Sequence, residues 1–199
     1  MKKILVILMA MLLPVTSFAQ KDDAKKLTKF EEFSSKTGSI VKFVDSKLPN
    51  IPKSFMGSLE TGIRTFKGGQ NAYFYRIEEA ETSRSVAHIA MIEYSDLVEM
   101  NKALLKLASE VDSDCAENPD YLENKFRTTD GFEVGYYISK GKVSWFLKLE
   151  RYTSSTVFIR SKEALVKAFQ DAQGKIEELK DGRMKIFIYD EFPLSEYEK

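Results

Sequence analysis

Apolar residues along this chain recur with two periods, and the switches between them mark out its elements. Alternation of apolar and polar residues, rich in β-branched and aromatic types and broken by Gly, Pro and Asn, predicts strands at about 38–45, 59–67, 72–79 and 85–94. The last of these is apolar on both faces, with Val86, Ala90 and Ile92 on one side and Ala87, Ile89 and Met91 on the other. A half-exposed strand would alternate, so this one is expected to be central and covered on both sides. At Ser95 the spacing changes to three and four residues: Leu97, Met100, Leu104, Leu107, Ala108 and Val111 form one stripe of a helix. Ser95 suits an N-cap, and Asp96 and Glu99 suit the positive end of the helix dipole.

The second half repeats that order. Strands are predicted near 122–129, 132–139, 142–150 and 155–160, then a helix over about 162–179. Ser161 caps it, Leu165, Ala168, Phe169, Ala172, Ile176 and Leu179 make its stripe, and Gly182 stands where a left-handed residue closes a helix. One hairpin is specified in detail. A Lys140-Gly141 turn pairs Ile138 with Val143, Tyr136 with Trp145, Val134 with Leu147 and Phe132 with Leu149, all on one face, and sets Glu133 opposite Lys148. A one-residue slip would scatter this set. Another hairpin is expected around Gly68-Gly69, where several registers fit.

The N-terminus reads differently. Lys2 and Lys3 precede an unbroken apolar run, Ile4 to Leu13, and Ser17 and Ala19 stand before Gln20. That is the three-part pattern of a cleaved secretory signal, too short for a membrane span of about 20 residues. Residues 1–19 are therefore assigned as signal peptide, 20–36 as a polar lead-in that turns into a strand near Phe30, 37–182 as one α+β domain and 183–199 as a strand-like tail. Met184 to Tyr189 is a strong β-former, followed by Pro193 and the acidic Glu196 and Glu198. It is expected to pair with a sheet edge, its own or that of a second copy, so the protein is a monomer or a tail-mediated dimer. The expected architecture is a curved antiparallel sheet with two helices packed on it, whose repeated four-strand-plus-helix order is what a duplication would leave; a cystatin-like or other helix-grip layout is the alternative.

Charge removes several function classes. The 199 residues carry 30 basic and 30 acidic side chains, and loss of Lys2 and Lys3 with the signal leaves a mature chain slightly acidic. No field draws nucleic acid or an anionic membrane. Cys115 is the only cysteine, so an internal disulfide is impossible and the fold stands on its core. The localisation implied is periplasmic or extracellular.

Catalytic patterns are sparse. His88, the only histidine, lies mid-strand, where a hydrogen-bonded structural role is the simpler account. Cys115 sits among Glu110, Asp112, Asp114, Glu117 and Asp120, which disfavour a thiolate. The same acidic stretch offers a weak calcium candidate in Asp112, Asp114 and Glu117, although EF-hand spacing fails. No catalytic residue is assigned, no cofactor is expected, and no other metal set is visible. Aromatic residues make up 12% of the chain, and Tyr73, Tyr75 and Tyr137 are the candidate ligand-binding residues, as sheet tyrosines that could stack on a sugar or an apolar ligand. The resulting expectation is an exported, non-catalytic binding module for a small molecule, glycan or protein. The alternatives are a hydrolase using carboxylates alone, among Glu78, Glu79 and Glu93, and an accessory protein assembling through its tail.

Overall fold

In the computed structural model the described residues are 27–190, apart from 36, 37, 39, 68–70, 82–85, 118, 119, 152 and 154, with 183–190 described as backbone. The residues read as a signal (1–19), most of the lead-in, the expected Gly68-Gly69 hairpin turn and residues 191–199 with Pro193, Glu196 and Glu198 lie outside them.

The fold is α+β. Alternating segments form β1 (Lys42–Pro52), β2 (Ser58–Lys67), β3 (Ala72–Glu79) and β4 (His88–Glu93), a four-stranded antiparallel meander. Helix α2 (Tyr94–Glu117) follows. The order then repeats in β5 (Tyr121–Arg127), β6 (Glu133–Ser139), β7 (Lys142–Lys148), β8 (Val157–Ile159) and helix α3 (Lys162–Asp190). The strands divide into two sheets, β1-β2-β3-β4 and β5-β6-β7-β8, which meet at a short seam. There Lys53 bridges Ile159, the Ser54 N–H donates to the Phe158 carbonyl at 2.8 Å, and the Arg160 N–H donates to the Pro52 carbonyl at 3.2 Å.

The specified hairpin forms in its expected register, with Ile138 opposite Val143, Tyr136 opposite Trp145, Val134 opposite Leu147 and Glu133 opposite Lys148. Lys140 and Gly141 turn with φ of 51° and 70°, the left-handed pair that matches strand twist. Glycine takes this conformation freely, whereas Lys140 adopts it at some steric cost.

Both long helices lie on one face of the sheets. Ile63, Tyr75 and Ile92 of the first sheet and Val134, Tyr136 and Leu147 of the second share one buried cluster with Leu104, Leu165 and Phe169. The packing crosses between halves: α2 touches β5, β6 and β7 as well as β3 and β4, and α3 touches β1 and β2. Asn101 of α2 is buried between the helices, its amide donating to the Phe169 carbonyl (3.1 Å) and the Gln173 side chain (2.8 Å) of α3.

Four expectations are corrected. The segment near Phe30 is a short helix, α1 (Lys29–Ser34), closed by a capping box in which Thr28 and Glu31 satisfy each other's backbone. β4 is an edge strand. Its second apolar face is covered by α1, whose Phe30 and Phe33 pack with Phe66, Phe74 and Met91, so both faces are apolar although, among the described residues, only β3 pairs with it. Ser95 lies inside α2, and its N–H donates to the Glu93 carboxylate at 2.8 Å, so Glu93 takes the capping place. Finally, α3 runs through Gly182 to Asp190, so 184–189 is helical where a strand was expected. Local β-propensity is a weak preference that a helix already under way can override. Ser161 does cap α3, accepting from the Ala164 N–H at 3.2 Å.

Candidate functional site

A cleft of about 570 Å³ lies where α1, the edge strand β4 and the end of the second sheet converge. Lys29 fixes one wall. Its backbone N–H donates to Asp130 at 3.0 Å, and its ammonium reaches Asp96 at 2.7 Å and Glu93 at 3.7 Å, tying α1 to α2 and to the β5–β6 loop. That loop is built on Thr128, whose hydroxyl accepts from the Phe132 N–H at 3.1 Å and whose carbonyl accepts from the Gly131 N–H at 3.0 Å. Gly131 has φ of 92°, and a Cβ there would lie 2.5 Å from the Arg151 Cβ, so only glycine allows the loop to pass. Arg151 in turn donates to the Thr129 carbonyl. On the other side Glu150 accepts from the Ile89 N–H at 3.3 Å and lies 3.4 Å from His88 Nδ1.

Ile92, Phe132 and Leu149 form the apolar floor, with Phe30 and Met91 beside it. Glu31, Asp96, Asp130 and Glu150 line it together with Arg64 and Arg151. Arg64 makes a two-pronged contact with Asp45 (2.8 and 2.6 Å), a hydrogen bond that holds the Asp45 carboxyl below its usual range. Burial pulls the Lys29 ammonium down, but its hydrogen bond to Asp96 and the charges of Asp96, Glu93 and Asp130 outweigh this and hold it above the ordinary lysine value. Burial pushes the Asp130 carboxyl up, and the charge of Asp96 adds to the shift against Lys29 and Arg151.

A raised carboxyl pKa means that the folded state resists the charge, at a cost to stability present above the shifted value. Below pH 3.8, the ordinary value, the group is protonated in both folded and unfolded chains and contributes nothing. Asp130→Asn is therefore expected to raise the melting temperature at pH 7, with the gain disappearing as pH falls to the ordinary aspartate range. Thermal melts across pH check this.

The residues singled out from the sequence lie elsewhere. Tyr73 and Tyr75 are buried in the main core, Tyr75 edge-on to Phe169 at 5.3 Å, so neither is an exposed platform. Strand β3 presents them to the helices. Burial pushes the Tyr75 hydroxyl above its usual range. Tyr137 does face away from the core, on the helix-free side of the second sheet, against Phe146 (6.5 Å) and Phe158 (5.9 Å). Asp112, Asp114 and Glu117 belong to the last turns of α2 rather than to a loop. Asp112 faces Lys162 at 3.4 Å, while Asp114 accepts from the Tyr136 hydroxyl, which burial, helped by that bond, pushes up to about 12. Cys115 is free and half-buried. Glu78 pairs with Arg76, Glu79 with Lys53 at 2.9 Å and Glu93 with Lys29, and none of the three lines the cleft.

Asp130, Lys29 and Arg151 were not singled out from the sequence, and Asp96 was noted there only for the helix dipole. The available signal was the Thr28-x-x-Glu31 capping box, which marks a helix start in the polar lead-in. Among the described residues, no cluster of three or more His, Cys, Asp or Glu side chains is placed to hold a metal ion, and no helix is long and apolar enough to cross a membrane. No protein-family model, curated protein or solved structure matches this chain.

Proposed function

We propose that the chain is an exported, non-catalytic binding protein whose ligand occupies the cleft between α1, β4 and the second sheet. The observation that carries this reading is the cleft itself: about 570 Å³, with an apolar floor and a charged rim. Ligand pockets commonly span about 300–1,000 Å³ with that division of labour, apolar surface supplying affinity and a few polar groups orientation. A hydrolase working through Glu78, Glu79 or Glu93 draws less support, since each carboxylate is paired with a cation and none of the three lines the cleft. An accessory role through a C-terminal strand loses its basis where 184–189 is helical.

Two measurements test the reading. N-terminal sequencing of exported protein is expected to give Gln20, and a sequence starting at Met1 would remove the export half. For the cleft, the neutral dye N-phenyl-1-naphthylamine should bind the native protein with one-site stoichiometry. Ile89→Trp, which fills the mouth from a position that is already 40% exposed, should weaken it roughly fivefold or more with an unchanged melting temperature. Dye binding indifferent to Ile89→Trp would place the apolar site elsewhere and overturn the proposal.

A further inference from the structure

The cleft contains something a small-molecule pocket does not need, the open edge of a β-sheet. β4 pairs only with β3 among the described residues, and its Ile89 and Met91 line the cleft. The Ile89 N–H points away from β3, because it donates to the Glu150 carboxylate. In an antiparallel pair such orientation alternates, so Ile89 and Glu78 form a non-hydrogen-bonded pair, and so do Met91 and Arg76. The Met91 N–H and carbonyl and the Ile89 carbonyl are therefore aimed out of the sheet, into the cleft.

Glu150 is a side-chain substitute for the carbonyl of a missing neighbour strand at one position of this edge. The contrast with the other sheet is instructive. The outer strand β5 carries Glu123, Lys125 and Arg127 at its exposed positions, the charges that discourage another strand from pairing. β4 has no charged side chain between His88 and Glu93. Its edge lies within the cleft, beside residues of α1 and of the end of the second sheet.

We infer that the occupant of the cleft is an extended peptide that adds as a strand to β4, with alternate side chains directed to the apolar floor and a basic side chain to the carboxylates. This rests on the binding reading above. Strand addition draws affinity from main-chain hydrogen bonds and specificity from alternate side-chain pockets. The charge preference follows from the lining. Four carboxylates face two guanidiniums, and one of these, Arg64, is already matched by Asp45 from outside the cleft. Lys29 answers Asp96 and Arg151 offsets one further carboxylate, so the lining as a whole remains acidic.

The experiment uses a fluorescein-labelled peptide of alternating valine and lysine, followed by fluorescence anisotropy on the mature protein. The same peptide N-methylated at alternate residues cannot complete the ladder and should bind about tenfold more weakly, as should a valine–glutamate peptide. On the protein side, Met91→Pro removes an outward N–H that the β3–β4 ladder does not use, a substitution tolerated on edge strands. It should cost about tenfold in peptide affinity, whereas Met91→Leu should cost little. Equal affinity for the N-methylated peptide would overturn strand addition. Equal affinity for the glutamate peptide would overturn the charge preference. Dye binding without any peptide binding would overturn the inference while leaving the cleft as a binding site, and failure of both would remove the cleft as well.

Discussion

Phe169→Ala is expected to lower stability by about 3–5 kcal/mol, the usual range for emptying a large aromatic site in a core. Phe169 has no exposed surface. Its ring stands edge-on to Tyr75 of the first sheet at 5.3 Å and tilted against Phe132, in the β5–β6 loop at the foot of the second, at 6.1 Å. The seam between the sheets supplies only a few main-chain bonds, so this ring, carried by α3, is a principal join between the halves. Phe132 is also part of the cleft floor. Loss of Phe169 should therefore weaken dye binding as well as stability, while Phe169→Leu should restore part of both. Urea unfolding followed by circular dichroism gives the first quantity, and a midpoint unmoved by Phe169→Ala would show that α3 is not seated on the core.

Trp145→Ala should cost a similar amount, about 3–5 kcal/mol. Trp145 is 6% exposed, lies 5.0 Å from the Tyr136 ring, and pairs across the sheet with Ile159. As the only tryptophan it also reports on itself. Native emission should be blue-shifted and weakly quenched by acrylamide; strong quenching would place it on the solvent face. Its partner Ile159 is the residue bridged to Lys53, so the substitution should loosen the seam as well.

The sequence made the hairpin around Lys140-Gly141 legible because one face of it is almost wholly apolar, and a side-chain period of two leaves a single register that buries that face. The helices were legible for the same kind of reason, although their ends were not. Gly182 looked like a stop, yet a glycine closes a helix only where the chain turns left-handed, and α3 continues past it. β3 and β4 were harder. Where both faces of a strand are apolar, the pattern does not tell which face meets the long helices, so Tyr73 and Tyr75 were read as surface and β4 as central. A six-residue helix, α1, supplied the missing cover. The cleft was out of reach for a different reason. Lys29, Asp96, Asp130 and Arg151 are far apart in sequence, and no local spacing links them before the sheets are assembled.

The exchange of helices between the two halves bears on how this chain is made. Residues up to Glu117 complete one sheet, the short α1 and one long helix, but that long helix finds part of its surface only in β5, β6 and β7, and β1 and β2 wait for α3. A nascent chain that has emerged as far as α2 holds an open core. Contacts this distant in sequence close late and slowly, because the loop entropy must be met before they form. Such a chain reaches its native state only after its final long helix is synthesised. For the export proposed above, which threads a polypeptide unfolded through a membrane, that delay is an advantage.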